Sequence, residues 1–234
     1  KLGRYYTNNM SSVRQGIVYE DGIHAIIQCG QKFFVLDVSD SANPVKLTEY
    51  SGGMIYGDQI CTDSILSNGT RYTCAINYPS GIRLFDLSKT GTAVDTGLNI
   101  SPTTSDFREG IVAVGDKFLI TFKGSYRLAD HTDRNLESKP AITYGGSMIG
   151  KPRVFGNGLY ITDRATGYIQ IVDITNINSP NLLKTLNIGG NPGGAAVYNG
   201  ALIVPCGHKG LLIYDDFINR FNLDVDRETF LPEH

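Results

Sequence analysis

Five short apolar runs, each closed by an aspartate, recur along this chain: FFVLD at 33–37, IRLFD at 82–86, YRLAD at 126–130, IQIVD at 169–173 and LLIYD at 211–215. Their aspartates, Asp37, Asp86, Asp130, Asp173 and Asp215, stand 49, 44, 43 and 42 residues apart. A period of roughly 40–45 residues is the length of one four-stranded propeller blade. The spacing therefore predicts an all-β fold, a five-bladed β-propeller of four-stranded antiparallel blades.

Each repeat reads in one order. A glycine or proline opens an apolar run, as in Gly16-Ile17-Val18, Gly110-Ile111-Val112 and Pro152-Arg153-Val154. A tight turn follows, such as Asn68-Gly69 or Asn199-Gly200, where Asn and Gly accept the positive φ of a hairpin. A second strand, a second glycine turn (Gly30, Gly81, Gly124, Gly167, Gly210) and the aspartate-ended third strand come next. KLTEY at 46–50 and LLKTLNI at 182–188 read as outermost strands. No 3.6-residue apolar period persists, so helix is minor.

A lone four-stranded sheet leaves its faces wet, and stacking five around an axis buries them all. The 234 residues read as a single domain over 1–234, a length that buries roughly 70–75% of the unfolded chain's surface. Residues 2–6, LGRYY, resemble an outer strand without a blade, expected to close the ring by pairing with the last one. The alternative is a piece of a longer chain with more blades.

The formal charge of −2 removes the electrostatic basis for nucleic-acid binding, so no nucleic acid is expected as partner. No run of 18 apolar residues occurs, and no membrane insertion is expected. Four cysteines, Cys29, Cys61, Cys74 and Cys206, are too few for a disulfide framework. The Asn68-Gly69 turn would set Cys61 and Cys74 as diagonal neighbours beyond disulfide reach, so free, partly buried thiols are expected.

The run Phe33-Phe34-Val35-Leu36-Asp37-Val38-Ser39-Asp40-Ser41-Ala42-Asn43-Pro44-Val45 resembles the LVIVD repeat of bacterial and archaeal surface propellers, and Ile169 through Pro180 is the second good match. Repeat two keeps Asp86-Leu87-Ser88, repeat three is read as keeping only Asp130, and repeat five has Asp215-Asp216. The resemblance implies a propeller but no shared chemistry. The motif also makes sense alone: an Asp with Ser or Thr two residues on accepts backbone N–H bonds in the turn after the strand. The five aspartates are thus read as structural. A metal ring fails because equivalent positions in five blades lie far apart, and neither a metal nor another cofactor is expected.

Propellers bind at the mouth where innermost strands begin. That rim carries Arg14 and Gln15, Asp58 and Gln59, Arg108 and Glu109, Lys151 and Arg153, and Asn191. Arg14 and Arg108 head near-identical runs and suit bidentate contact with carboxylates or phosphates, or pairing with Asp58 or Glu109. Five-bladed propellers also include glycoside hydrolases, which need acids held roughly 5–9.5 Å apart. Asp58, Asp106 and Glu109 would be that set, but they lie in no hydrolase motif and the rim arginines favour pairing; no catalytic residue is assigned. The run Asp130 to Glu137 lacks the glycine and spacing of a calcium loop and reads as a solvated acidic loop. Tyr56, Tyr78, Tyr126 and Tyr168 sit near turns as candidate sugar-stacking residues.

The reading that follows is a non-catalytic recognition module at a cell, particle or virion surface, binding a cell-surface glycan or protein through rim loops. A phage tail receptor-binding domain, from a weaker resemblance, and a hydrolase-like propeller are the alternatives. Nothing in the repeat sets an oligomeric state.

Overall fold

The computed structural model describes residues 13–18, 23–29, 32–50, 55–60, 64–77, 81–88, 95–101, 110–147 and 150–214; the side chains at 13–15, 17, 33, 55–60 and 76–77 fall outside the description. Within these residues the chain is all-β, with a single 3-10 turn at Gly207–Lys209. It forms five small antiparallel sheets, the blades of a five-bladed β-propeller. No helix among the described residues is long and apolar enough to cross a membrane.

The first blade runs β1 (Val13–Val18), β2 (His24–Cys29), β3 (Lys32–Asp37), β4 (Val45–Tyr50) in spatial order. The second orders β5 (Ile55–Ile60), β7 (Thr70–Asn77), β8 (Gly81–Asp86), β9 (Asp95–Ile100), with β6 (Ile65–Ser67) also on β7. Ile60 pairs with Ala75 and Ile65 with Tyr72, so two short strands share one neighbour where the repeat predicts one. The third orders β10 (Ile111–Val114), β11 (Lys117–Phe122), β12 (Ser125–Ala129) and a two-residue β13 (Ile142–Thr143). The fourth is β14 (Lys151–Phe155), β15 (Gly158–Asp163), β16 (Tyr168–Asp173), β17 (Asn181–Asn187), and the fifth is β18 (Ala196–Tyr198), β19 (Ala201–Pro205), β20 (Leu211–Tyr214). The expected closing strand at 2–6 lies outside the described residues.

The hairpin turns follow the sequence. Asn68 and Gly69 have φ of 50° and 77°, and Asn199 and Gly200 have 48° and 79°, the two consecutive positive values that a two-residue loop needs to match strand twist.

The aspartate motif is a turn clamp repeated four times. One carboxylate oxygen of Asp37 accepts the N–H and hydroxyl of Ser39 at 2.9 and 2.6 Å. Asp86 does the same to Ser88, and Asp173 to Thr175. Asp130 holds Thr132 N and Oγ1 at 2.8 and 2.5 Å, which corrects the reading that the third repeat keeps only its aspartate: the threonine two residues on was overlooked. Asp215 lies outside the described residues.

The described strands group into two compact units, Lys1–Phe118 with Ala129–Ser138 and Leu119–Leu128 with Lys139–His234. In the first, Ile26, Val35, Tyr50, Ala75, Phe85 and Leu87 form a core, with the Tyr50 and Phe85 rings edge to face at 4.8 Å. The segment after Asp130, read as a solvated acidic loop, keeps Thr132, Arg134, Asn135 and Glu137 exposed and also packs into this unit. Leu136 is buried, Asn135 bridges to Ser101, and the His131 ring stacks on Tyr72 at 4.5 Å. Its carboxylates are engaged as well: Asp130 takes Lys117 Nζ at 2.9 Å and Asp133 takes the Asp130 N–H at 2.8 Å. Burial raises the Asp130 carboxyl, but the bonds from Thr132 and Lys117 pull it far below the usual carboxylate range.

In the second unit, Tyr160, Ile169, Ile171, Ile188, Ala195, Leu202 and Val204 form a core shared by blades four and five. Cys29, Cys74 and Cys206 are buried thiols, none of them in a disulfide; Cys61 lies outside the described residues.

Candidate functional site

In the second unit, blades four and five bring a set of strand ends together. Lys151 opens β14 opposite Thr162, and Arg153, two residues on, stands opposite Tyr160. Successive side chains on a strand alternate faces, so Lys151 and Arg153 share one, and opposed residues share it too. Tyr160 and Ile171, paired in turn, belong to the core between blades four and five. The two cations therefore crown that core, their stems on apolar surface and their heads at its rim.

Register carries the same end across the blade. Asp163 pairs with Tyr168, and Tyr168 with Asn187, whose amide donates to the Tyr168 hydroxyl at 3.3 Å. Arg164 follows Asp163 directly and is exposed. Asp163 is committed to its own turn, its Oδ1 accepting from Ala165 N at 2.9 Å and Thr166 N at 3.2 Å.

The following blade supplies a glycine-rich segment, Gly189-Gly190-Asn191-Pro192-Gly193-Gly194, anchored from beneath. Lys209 Nζ donates to Ile188 O at 3.0 Å, Cys206 Sγ donates to Gly189 O at 2.8 Å, and Gly193 N donates to Pro205 O at 2.7 Å. Gly189 and Gly190 are needed for backbone conformation, with φ of 58° and 78°, and a β-carbon there would also meet Lys209 Nζ at 2.6 Å and Cys206 Sγ at 3.0 Å respectively. At Gly194 the neighbour is Arg153. Its Nη2, Cζ and Nε lie 3.1, 3.2 and 3.2 Å from the point a β-carbon would occupy, so the guanidinium plane lies flat across the bare glycine. Arg153 Nη1 donates to Pro152 O at 2.9 Å, which fixes the fork.

Burial, and then the like charges of Arg153 and Arg164, lower the Lys151 ammonium below the ordinary lysine value. This end of the unit therefore concentrates positive charge from three strand or turn positions, beside neutral groups from Tyr168, Asn187 and the exposed Asn191.

Of the rim residues expected from sequence, Lys151, Arg153 and Asn191 stand at this end. Arg14 and Gln15 lie on β1, where the pairing with β2 is irregular between Val13 and Gln15, and Asp58 and Gln59 lie on β5; their side chains are outside the description. Arg108, Glu109 and Asp106 lie outside the described residues. Tyr126 is no stacking platform: it is fully buried, its hydroxyl donating to Ile177 O at 2.6 Å. Tyr168 is half-buried at the cationic end. Tyr56 and Tyr78 fall outside the description. Sequence reasoning missed Arg164 and Lys209, which reach the site from turns rather than from the start of a first strand.

No family model matches the chain, and no curated protein matches it. Solved structures do. A functionally unknown protein from Desulfotomaculum acetoxidans is 15% identical over 83% of this chain and 62% of that one, with a TM-score of 0.56. Dihydro-heme d1 dehydrogenase NirN is 12% identical over 88% and 46%, with a TM-score of 0.52, and Hsv2 from Kluyveromyces lactis is 10% identical over 86% and 60%, with 0.51. The likeness carries the fold alone. These neighbours are propellers, and this chain spans less than two thirds of the length of each.

Proposed function

We propose that this chain is a non-catalytic recognition module of the LVIVD-like kind, displayed at a cell or virion surface, that holds a surface carbohydrate or protein through loops at one end of its blades. The observation that carries the reading is the cationic end of blades four and five, where Lys151 and Arg153 crown an apolar core beside a rigidly anchored glycine segment. Ligand sites combine such a firm, largely preformed wall with a few convergent polar groups. Recognition is favoured over hydrolysis because glycoside cleavage needs two carboxyl groups facing one bond. Among the described residues of this end the acid is Asp163, and it caps its own turn.

The four aspartate clamps support the LVIVD-like assignment, since the side-chain bonds explain why the motif needs Asp and Ser or Thr at that spacing. A phage receptor-binding domain is one form this module would take. The test is a glycan array read together with release of reducing sugar. Binding without turnover is the expected result; sugar release that disappears in Asp58→Asn or Glu109→Gln would overturn it in favour of an enzyme.

A further inference from the structure

The dipeptide Asn-Gly occurs at Asn68-Gly69, Asn157-Gly158 and Asn199-Gly200, and the fold gives the three copies two different settings. The first and third are tips of two-residue hairpin loops, closed by Ser67 with Thr70 and by Tyr198 with Ala201. Asn68 and Asn199 are exposed there, in the left-handed region that asparagine tolerates. Both glycines stand in open space: a β-carbon on Gly69 or Gly200 would meet nothing within 4 Å beyond its chain neighbours.

The second copy is held. Asn157 Nδ2 donates to Thr175 Oγ1 at 2.8 Å, its Oδ1 is enclosed, and its backbone oxygen accepts the Ile174 N–H at 2.8 Å. Gly158 is buried and belongs to a strand rather than a loop, paired with Phe155 on one side and Asp173 on the other.

An asparagine followed by glycine carries an electrophile and a nucleophile side by side. The glycine backbone nitrogen, on losing its proton, attacks the asparagine Cγ; a C–N bond closes a five-membered succinimide, the bond to the amide nitrogen breaks, and ammonia leaves. Water then opens the ring at either carbonyl. One product is aspartate, and the other is isoaspartate, with the main chain routed through the former side chain. The steps need no oxidant or reductant. Glycine favours the attack because no β-carbon obstructs it, and in a folded chain the rate is set by whether the nitrogen is uncommitted and the backbone can swing into line. At a hairpin tip the two loop residues lie outside the strand ladder, and local opening costs little.

We propose that Asn68 and Asn199 are sites of succinimide-mediated deamidation and isomerisation, and that packing protects the same dipeptide at 157–158. The product matters to the fold. Isoaspartate at 68 adds a carbon to the main chain of a loop that fits two residues of successive positive φ, and this shifts β6 against β7. β6 has three residues, and one of them, Ile65, is completely buried, so the hairpin has little with which to resist the shift. The same addition at 199 falls between the three-residue β18 and β19. Aspartate leaves the loop length unchanged. The reaction is thus a slow ageing switch that loosens two hairpins and spares a third.

The experiment incubates the intact chain at mildly alkaline pH beside a sample unfolded in urea, and maps both by peptide mass spectrometry. Isoaspartate is scored by methyl transfer from S-adenosylmethionine with an isoaspartyl methyltransferase. In urea all three asparagines should convert at comparable rates, which calibrates the dipeptide itself. In the folded chain Asn68 and Asn199 should convert more slowly than in urea, with Asn157 behind them by on the order of tenfold or more. The isomerised fraction should melt below the parent, whereas freshly prepared Asn68→Asp and Asn199→Asp, which add the charge on an unaltered main chain, should melt near it. Equal conversion of Asn157 in the folded chain would overturn the proposal, since the dipeptide and not the fold would then set the rate. Silence of all three in the folded chain would overturn it as well, and conversion at one tip alone would overturn the assignment of the other. An isomerised fraction that melts with the parent, or aspartate variants that melt as low as that fraction, would overturn the loosening of the hairpins.

Discussion

The Arg153 guanidinium lies face-on against Gly194 of the next blade, 3.1 to 3.2 Å from where a side chain there would begin. Gly194→Ala therefore meets the far end of a flexible side chain and is expected to displace the fork by a few tenths of an ångström, costing under about 1 kcal/mol. Gly150→Ala is the contrasting case, because its β-carbon would fall 2.3 Å from the backbone oxygen of Thr162, which has nowhere to go. Overpacking of that kind costs about 3 kcal/mol. Urea denaturation of the two variants checks the order, and a Gly194→Ala cost equal to that of Gly150→Ala would show that Arg153 is not free to shift.

The turn clamps give a second prediction. Asp173→Ala removes the acceptor of both Thr175 bonds and is expected to cost about 1–2 kcal/mol, whereas Asp173→Asn keeps an oxygen in place and should cost less. The clamps also set acid sensitivity. Hydrogen bonds from Ser39 lower the Asp37 carboxyl, as those from Asn43 and Ala42 lower Asp40. A carboxyl depressed in the folded state contributes stability that is present above its unfolded value and lost as pH falls through the folded one. Stability should hold at neutral pH and decline below the usual carboxylate range. The decline should be shallower in Asp130→Asn, whose carboxyl is the most strongly depressed of the group, as urea midpoints across acid pH would show.

At alkaline pH the sign reverses for the buried tyrosines. Burial pushes Tyr126 and Tyr144 up to about 12, above the ordinary phenol. Their contribution is present below the unfolded value and lost as pH rises from there toward the folded one. Tyrosinate absorbance should thus appear for these rings together with unfolding rather than before it. Tyr126→Phe should cost about 1–2 kcal/mol at neutral pH, since the Ile177 carbonyl loses its donor.

The architecture was legible because the aspartate at the end of each third strand does one local job, holding the turn, in every described copy. Its neighbours in sequence suffice for that job. The outermost strands were harder to read because they face few partners: β13 shrinks to two residues, and β17 alternates exposed and half-buried positions without a buried one. Blade two hid its innermost strand because β5 and β6 share β7 across an interruption. Lys151 and Arg153 could be named from their place at the start of β14, but Arg164 and Lys209 join them only through register and loop contacts at 21 or fewer residues of separation.

Lys151 separates a residue kept for binding from one kept for stability. Burial and the neighbouring Arg153 and Arg164 charges lower its ammonium in the folded state, so the unfolded chain holds that proton more tightly. Between the lowered value and the ordinary lysine value the unfolded state binds more protons, and stability should rise with pH across that window. Below that window the side chain is charged in both states and the penalty is carried in full. Lys151→Met keeps the stem on the apolar core and removes the charge, so its thermal midpoint should exceed that of the parent chain while the alkaline rise disappears. A lower midpoint would mean that the ammonium stabilises the fold, and the strand end would then be a structural feature rather than a seat for a ligand.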